Sequence, residues 1–454
     1  MERKTKNVKL GLILVLAVII VAPLGWFLFD RLEGQRPVVE FEDTSAFISK
    51  SKELTVSISD TQSGIRKLWI SLVKDGKEVT LIQEPFPSTG LFCSGAIREK
   101  KISFHVDPGK LDLSDGAAIL RLAVWDYSWQ GWFSGNQTYV EKNLTIDTRA
   151  PEIEIYSRAH NVSQGGTGLV IYRLSEPCPQ NGIYVGNQFF AGYSGAFTDQ
   201  GIVLAFFALG YQQGPGTELS VIAIDRAGNS TRGGLNNYIR RKKFKKDKIN
   251  ISDKFLNWKV PEFNIEMPGA TMVEKFLAIN RDQRRADYEI IREQCQTPDR
   301  TVHWEGRFLR LPKSAPRAGF ADHRTYIYKG NEIDQQIHLG VDLASLKRSS
   351  VPAANHGVVV FADRLGIYGR TVFIDHGFGL FSMYAHLNQI TVKVGQKISK
   401  GDILGKTGTT GLAGGDHLHF AMLVHDTFVN PIEWWDAAWI KNNITSKIDM
   451  VKTR

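Results

Sequence analysis

The chain of 454 residues holds 56 Lys and Arg against 47 Asp and Glu, a formal charge of +9, with 43% hydrophobic and 23% charged residues. These proportions exclude a globally disordered chain and a polytopic membrane protein, and the length allows two to four domains. Cys93, Cys178 and Cys295 are widely spaced and form no CxxC, so neither an intradomain disulfide nor a thiolate metal site is expected. A bound metal must then use His and carboxylates, and nine of the 11 histidines lie between His303 and His425.

Residues 1–30 read as a membrane anchor. Arg3, Lys4, Lys6 and Lys9 precede residues 10–29, which carry no charge. At 1.5 Å per residue such a helix reaches about 30 Å, the thickness of a bilayer core. A cleaved signal peptide has a shorter apolar region and a small-x-small cut site, and Pro23 after Val21-Ala22 disfavours cleavage. The basic flank places the first residues in the cytoplasm and everything after Asp30 outside.

Residues 36–147 alternate short apolar runs, at 54–58, 67–73, 101–106 and 118–124, with turn signals such as Asp75-Gly76 and Asp115-Gly116. That spacing predicts a β-sandwich module. A second such module is expected over 148–240, with runs at 152–156, 168–173, 202–209 and 218–224. Its turn Asp225-Arg226-Ala227-Gly228-Asn229 resembles those of bacterial immunoglobulin-like modules of exported proteins. Neither module contains a catalytic constellation, so both are read as spacers or docking elements. Trp125, Trp129, Trp132 and Phe133 are read as a core or edge-strand cluster rather than a sugar platform.

Residues 241–300 read as a basic and helical linker. The run 240–248 has seven positive charges in nine residues and is read as solvated. An exported location argues against a nucleic-acid partner. Within 271–294, Val273, Phe276, Leu277, Ile279, Tyr288, Ile290 and Ile291 have the spacing of an amphipathic helix packed on a neighbouring domain.

The last third, 301–440, carries the chemistry. His338 and Asp342 stand four positions apart, which in an extended chain leaves both on one face. His417 and His419 share a face by the same period, and His386 lies between the two pairs. A catalytic zinc takes three protein ligands from His, Asp or Glu and keeps one position open, and two further neutral histidines can handle the proton and the oxyanion. The inventory supplies three ligands and two helpers. Gly405-Lys406-Thr407 imitates a phosphate-binding loop, but the Gly required at position 400 is Lys400.

His338-Leu-Gly-Val-Asp342, the segment 368–377, Tyr384-Ala385-His386-Leu387, the segment 394–402, Gly408-Thr409-Thr410-Gly411, His417-Leu418-His419-Phe420 and the closing Asn430-Pro431 together resemble the lysostaphin and LytM type zinc metallopeptidases. The resemblance implies zinc ligands at His338, Asp342 and His419 and a catalytic pair at His386 and His417. It also implies hydrolysis of peptide bonds in peptidoglycan cross-links or stem peptides. The family's Ser-Gly-Phe-Gly-x-Arg segment is replaced here by Ala318-Gly319-Phe320-Ala321-Asp322-His323-Arg324, so the cleft wall and substrate preference are expected to differ.

The expected fold is mainly β: a transmembrane helix, two immunoglobulin-like sandwiches, the helical linker and an antiparallel-β peptidase domain. The expected location is the bacterial cytoplasmic membrane with the bulk of the chain exported. The expected partners are peptidoglycan, the membrane, and cell-wall synthesis or division proteins at the sandwich modules. The alternative is a regulatory or scaffold protein that recruits or activates a separate wall hydrolase.

Overall fold

The computed structural model describes residues 2–43, 45–89 and 94–452, so Cys93 lies outside the described residues. Cys178 and Cys295 are buried free thiols. The chain divides into two compact units, Met1–Ala150 with Arg226–Asn229, and Pro151–Asp225 with Ser230–Arg454.

In the first unit, a helix over Glu2–Arg31 precedes the sheets. Among the described residues, no helix is long and apolar enough to cross a membrane. The anchor expected at 1–30 is therefore not supported by the described residues.

Two antiparallel sheets follow. Val38–Phe41, Lys52–Ser59 and Glu99–Val106 form one; Gln137–Ile146, Gly116–Asp126, Ile65–Lys74 and Lys77–Pro85 form the other, with Phe47–Ile48 added parallel at its edge. Alternation decides which side chains face inward. Leu54, Val56 and Ile58 of one sheet share a core with Leu68, Ile70, Leu120 and Leu122 of the other. Asp75 and Gly76 both take positive φ, 50° and 77°, which matches the twist of the hairpin they close. Trp132 and Phe133 depart from the expected packing and are 94% and 62% exposed. Gly131, Trp132 and Phe133 all have φ near +60°, and this left-handed turn swings both rings out of the sheet.

The second unit opens with the sheet Ile153–Ile155, Thr167–Leu174, Ile202–Ala208 and the sheet Gln188–Ala191, Gln180–Val185, Leu219–Ile224, Ser230–Gly234. The basic run keeps its charges in water as expected, but its end is built into a sheet. Lys246–Ile251 is a strand that pairs in parallel with Asp322–Tyr328. Alternation reconciles the two demands, since charged side chains face water while Ile251 is buried. The expected amphipathic helix is present as Met272–Ala278, a π-helical turn at Ile279–Gln283, and Arg284–Gln294. Thr271 and Glu274 start it with a reciprocal capping box.

The last sheet is antiparallel, in the order Ala315–Ala318, Val341–Ala344, Leu418–Val424, Leu380–Leu387, Gly369–Asp375, Gly357–Leu365, Lys397–Ile398. It is joined to the earlier sheets of the same unit by a shared apolar core. Trp434, fully buried, packs on Phe206 and Trp304 and donates from Nε1 to Thr167 Oγ1 at 3.2 Å. Beside it, Glu433 Oε2 accepts from the Thr167 amide at 2.8 Å.

Burial raises the Glu433 carboxyl from its ordinary 4.5 to about 7. The folded chain thus retains a proton there that the unfolded chain releases between those values, so this carboxyl costs stability progressively as pH rises from about 4.5 to 7. Glu433→Gln keeps an oxygen for Thr167 and cannot ionise. Its advantage over the wild type, read from urea midpoints, is expected to grow between about pH 5 and about pH 8.

Candidate metal centre

Strand pairing brings the donors together. Asp342 stands directly opposite His419, and His419 in turn stands opposite Ala385, next to His386. His338 ends the strand Asn331–His338, and Asp342 lies in the next strand, Val341–Ala344. The expected extended run from His338 to Asp342 is therefore broken by a turn at Leu339-Gly340. Convergence depends on that turn: a Cβ at position 340 would lie 2.5 Å from His419 Cε1 and 2.8 Å from the Phe420 carbonyl.

His338 Nε2 lies 2.9 Å from Asp342 Oδ1 and 3.0 Å from His419 Nδ1, and His419 Nδ1 is also 2.9 Å from Asp342 Oδ1. All three residues are buried, and together they could hold a metal ion. His338 Nδ1 faces the Gly319 carbonyl at 2.8 Å. A carbonyl only accepts, so Nδ1 carries a proton and Nε2 faces the other donors. A proton on His419 Nδ1 can bridge Asp342 Oδ1 and His338 Nε2, and with that proton removed the same three atoms present lone pairs to one point, as a cation requires. Zinc at 2.0 to 2.1 Å from each would set them roughly 3.3 Å apart, close to the spacing found. The other carboxylate oxygen, Oδ2, accepts from Arg324 Nη2 at 2.8 Å.

The remaining two imidazoles border the same cavity, of about 460 Å³. His386 Nδ1 donates to the Thr410 carbonyl at 2.8 Å, and His417 Nδ1 to the Gly415 carbonyl at 2.7 Å, leaving each Nε2 to the cleft. Their rings are 4.9 Å apart, and His417 Nε2 is 3.5 Å from Asp342 Oδ1. His386 takes φ +60°, a strained conformation for a β-carbon residue that turns its ring toward the cleft.

Burial, then the charge of His417 and His419, holds His386 well below the ordinary imidazole range, so it is neutral and able to accept a proton. Burial also lowers His419 to about 4, which suits a neutral ligand. For Asp342, burial opposes ionisation, but His338, His417 and His419 prevail and hold its carboxyl well below the usual range. For His417, burial opposes protonation and the Asp342 carboxylate outweighs it, raising the imidazole. A cation on Asp342 withdraws that support and favours the neutral ring.

The structure thus brings His338, Asp342, His386, His417 and His419 together. The other histidines stand apart from them: His376, for example, spans the His356 carbonyl and Ser382 Oγ in the core, and His425 packs on Phe190 and Tyr193.

Several contributors escaped sequence reasoning. The altered segment 318–324 supplies both the Gly319 carbonyl and Arg324, with Ala321 accommodated at φ +60°. One cavity wall comes from the linker, through Ile249, Phe255, Phe276 and Arg284. The linker also props His386. Lys259, fully buried, donates to the Thr409 carbonyl and to Glu262, and Glu262 Oε2 accepts from the Gly411 amide at 3.2 Å.

Residues 336–431 match peptidase family M23. The region is similar to the DD-carboxypeptidase/endopeptidase Mpg of Neisseria meningitidis serogroup B, 35% identical over 97 residues, 21% of this chain and 22% of the relative. It is similar also to the peptidoglycan DD-endopeptidase ShyA of Vibrio cholerae, 38% identical over 96 residues, again 21% and 22%. The chain spans about a fifth of the length of these curated relatives. Among solved structures, the catalytic domain of the antimicrobial peptidase lysostaphin from Staphylococcus simulans is 26% identical with a TM-score of 0.26, covering 29% of this chain and 98% of that one. The carboxy-terminal part of the chain is an M23 peptidase domain with a His-Asp-His site suited to zinc.

Gly340→Ala is expected to push His419 off Asp342 and weaken zinc binding about 10- to 100-fold, while the fold persists by circular dichroism. Competition against a chromophoric chelator measures this. Unchanged affinity would mean that close packing at Gly340 does not set the donor geometry.

Proposed function

We propose that this protein is a zinc endopeptidase of the cell wall that hydrolyses peptide bonds in peptidoglycan cross-links or stem peptides. The observation that carries the reading is the meeting of His338 Nε2, His419 Nδ1 and Asp342 Oδ1 within about 3 Å beside two imidazoles whose outer nitrogens face one cleft. The DD-endopeptidase activity in the names of Mpg and ShyA makes a D,D-peptide bond of peptidoglycan the first substrate to test.

In this reading His338, Asp342 and His419 hold the zinc, which when bound polarises the scissile carbonyl and makes a water acidic enough to attack near neutral pH. One of His386 Nε2 and His417 Nε2 takes the proton of the attacking water. The other donates to the oxyanion and then to the leaving amine. The Gly319 carbonyl and Arg324 keep His338 and Asp342 oriented. The linker wall excludes water from one side of the cleft and confines the substrate strand against the sheet.

The uncharged segment 10–29 supports a further reading, that the chain is anchored in the bacterial cytoplasmic membrane with the rest exported. Leu14, Leu16, Ile19 and Val21 are each more than half exposed on the helix, surface that a lipid phase would cover. The two sandwich modules then act as immunoglobulin-like spacers and docking sites for wall-synthesis or division proteins.

Digestion of purified peptidoglycan by the full chain tests the enzymatic reading. New amine termini are expected with wild type, abolished by chelation and restored by zinc. His417→Ala is expected to retain one zinc and lose at least about 10²-fold in rate. A chain that binds zinc but releases no amine from any wall chemotype, while stimulating a separate hydrolase, would establish the recruiting role instead.

A further inference from the structure

The first unit contains a separate cluster of acidic side chains. Glu33, Asp60 and Asp126 each bring a carboxylate oxygen within 4.8 Å of the other two, and all are buried, at 6%, 5% and 0% exposure. Three carboxylates removed from water at this distance need protons, bases or a metal to offset their charge.

The partners around them are neutral. Asp60 Oδ1 accepts from the amides of Gln62 and Gly64 at 3.2 and 2.6 Å. Asp126 Oδ1 accepts from the amides of Ser128 and Asn136 at 3.0 and 2.7 Å, and its Oδ2 from Asn136 Nδ2 at 2.9 Å. Glu33 Oε1 accepts from the Ser63 amide at 2.9 Å. Arg31, the nearest basic residue in sequence, directs Nη2 to Ser94 Oγ at 2.6 Å and lies over the Phe27 ring. That leaves Glu33 Oε2, buried with no hydrogen-bond partner, and Ser63 Oγ in the same condition. The amides fix the carboxylates in place, while Glu33 Oε2 makes no well-formed hydrogen bond, and the neighbouring Ser63 hydroxyl only partly offsets the burial of its charge.

We propose that Glu33, Asp60 and Asp126 bind a hard divalent cation of the Ca²⁺ class, which fastens the chain leaving the helix Glu2–Arg31 to the sandwich. The donors are all oxygen, the choice of Ca²⁺ rather than zinc or copper. Ligands of one Ca²⁺, at 2.3 to 2.6 Å each, stand at most about 5 Å apart, so oxygens that all lie within 4.8 Å of one another can reach a single ion. Burial, with the charge of the neighbouring carboxylates, raises both Glu33 and Asp126 above the usual range, the electrostatic stress a cation relieves. The surrounding hydrogen bonds show what the ion would complete. Ser128 Oγ donates to the Glu33 carbonyl at 3.0 Å, Gln130 Nε2 to Leu32 at 2.7 Å, and Asn136 Nδ2 to Gln35 at 2.8 Å. Residues 32–35 are thus stitched to the loop that carries Asp126.

The test uses the full chain, zinc-loaded and in detergent, titrated with Tb³⁺ as a luminescent Ca²⁺ probe excited through tryptophan, and melted with and without Ca²⁺. One Tb³⁺ per chain, displaced by Ca²⁺, is expected, with affinity about tenfold or more weaker in Glu33→Gln and Asp60→Asn. Millimolar Ca²⁺ is expected to raise the unfolding temperature by about 3 to 5 °C in wild type and not in the variants. The wild-type titration is decisive by itself if a variant does not fold. No Ca²⁺ response up to about 10 mM, or a response that survives in both variants, overturns the proposal. So does a Glu33→Gln protein more stable than wild type in Ca²⁺ and in chelator alike, since protons would then be neutralising the cluster.

Discussion

Three donor atoms within hydrogen-bond distance of one another, of the kind and near the spacing that a zinc ion takes, organise the carboxy-terminal part of this molecule. His338 Nε2, His419 Nδ1 and Asp342 Oδ1 form a triangle with sides of 2.9 to 3.0 Å. Their approach follows from constraints that are individually ordinary: the antiparallel register that sets Asp342 against His419, the missing side chain at Gly340, and the Gly319 carbonyl that fixes the tautomer of His338. Arg324 occupies the second oxygen of Asp342, so the carboxylate presents one oxygen to the centre instead of rotating freely. A metal at that point would take the place of the proton these atoms otherwise share.

The second organising feature is the segment between the modules. Its strand Lys246–Ile251 extends a sheet beside Asp322–Tyr328, and its helices wall the cleft. Lys259 and Glu262 hold the backbone around Thr409–Gly411, whose Thr410 carbonyl orients His386. Asp287 similarly accepts from the Ile367 amide at 2.8 Å, next to Tyr368 on the cavity lining. His386 is thus positioned by Lys259 and Glu262, far upstream in the sequence, and the helical segment and the last sheet are tied together by these contacts.

How much was legible in the sequence follows from the range of the forces involved. Period-two alternation is local, so the strands holding Leu54, Val56 and Ile58 or Leu120 and Leu122 could be read directly. The five candidate residues were legible because His and Asp at these spacings have a restricted chemical use, and the family resemblance singled out His338, Asp342 and His419 among them as ligands. The turn at Gly340, the pairing of the basic run with Asp322–Tyr328, and the reach of Lys259 to Thr409 depend on contacts far apart in sequence, which no local pattern encodes. Trp132 was misread for a related reason: an apolar ring suggests a core, but a run of left-handed backbone turned it outward.

The central claim is that one zinc sits among His338, Asp342 and His419. X-ray absorption at the zinc edge of the purified full chain addresses it most directly. The account predicts one zinc per chain with two nitrogen ligands at about 2.0 to 2.1 Å, a protein oxygen at about 2.0 to 2.2 Å and one lighter exchangeable ligand, a shell lost in His419→Ala. A sulfur ligand at about 2.3 Å, or a shell unchanged in His419→Ala, would place the metal elsewhere and contradict the account.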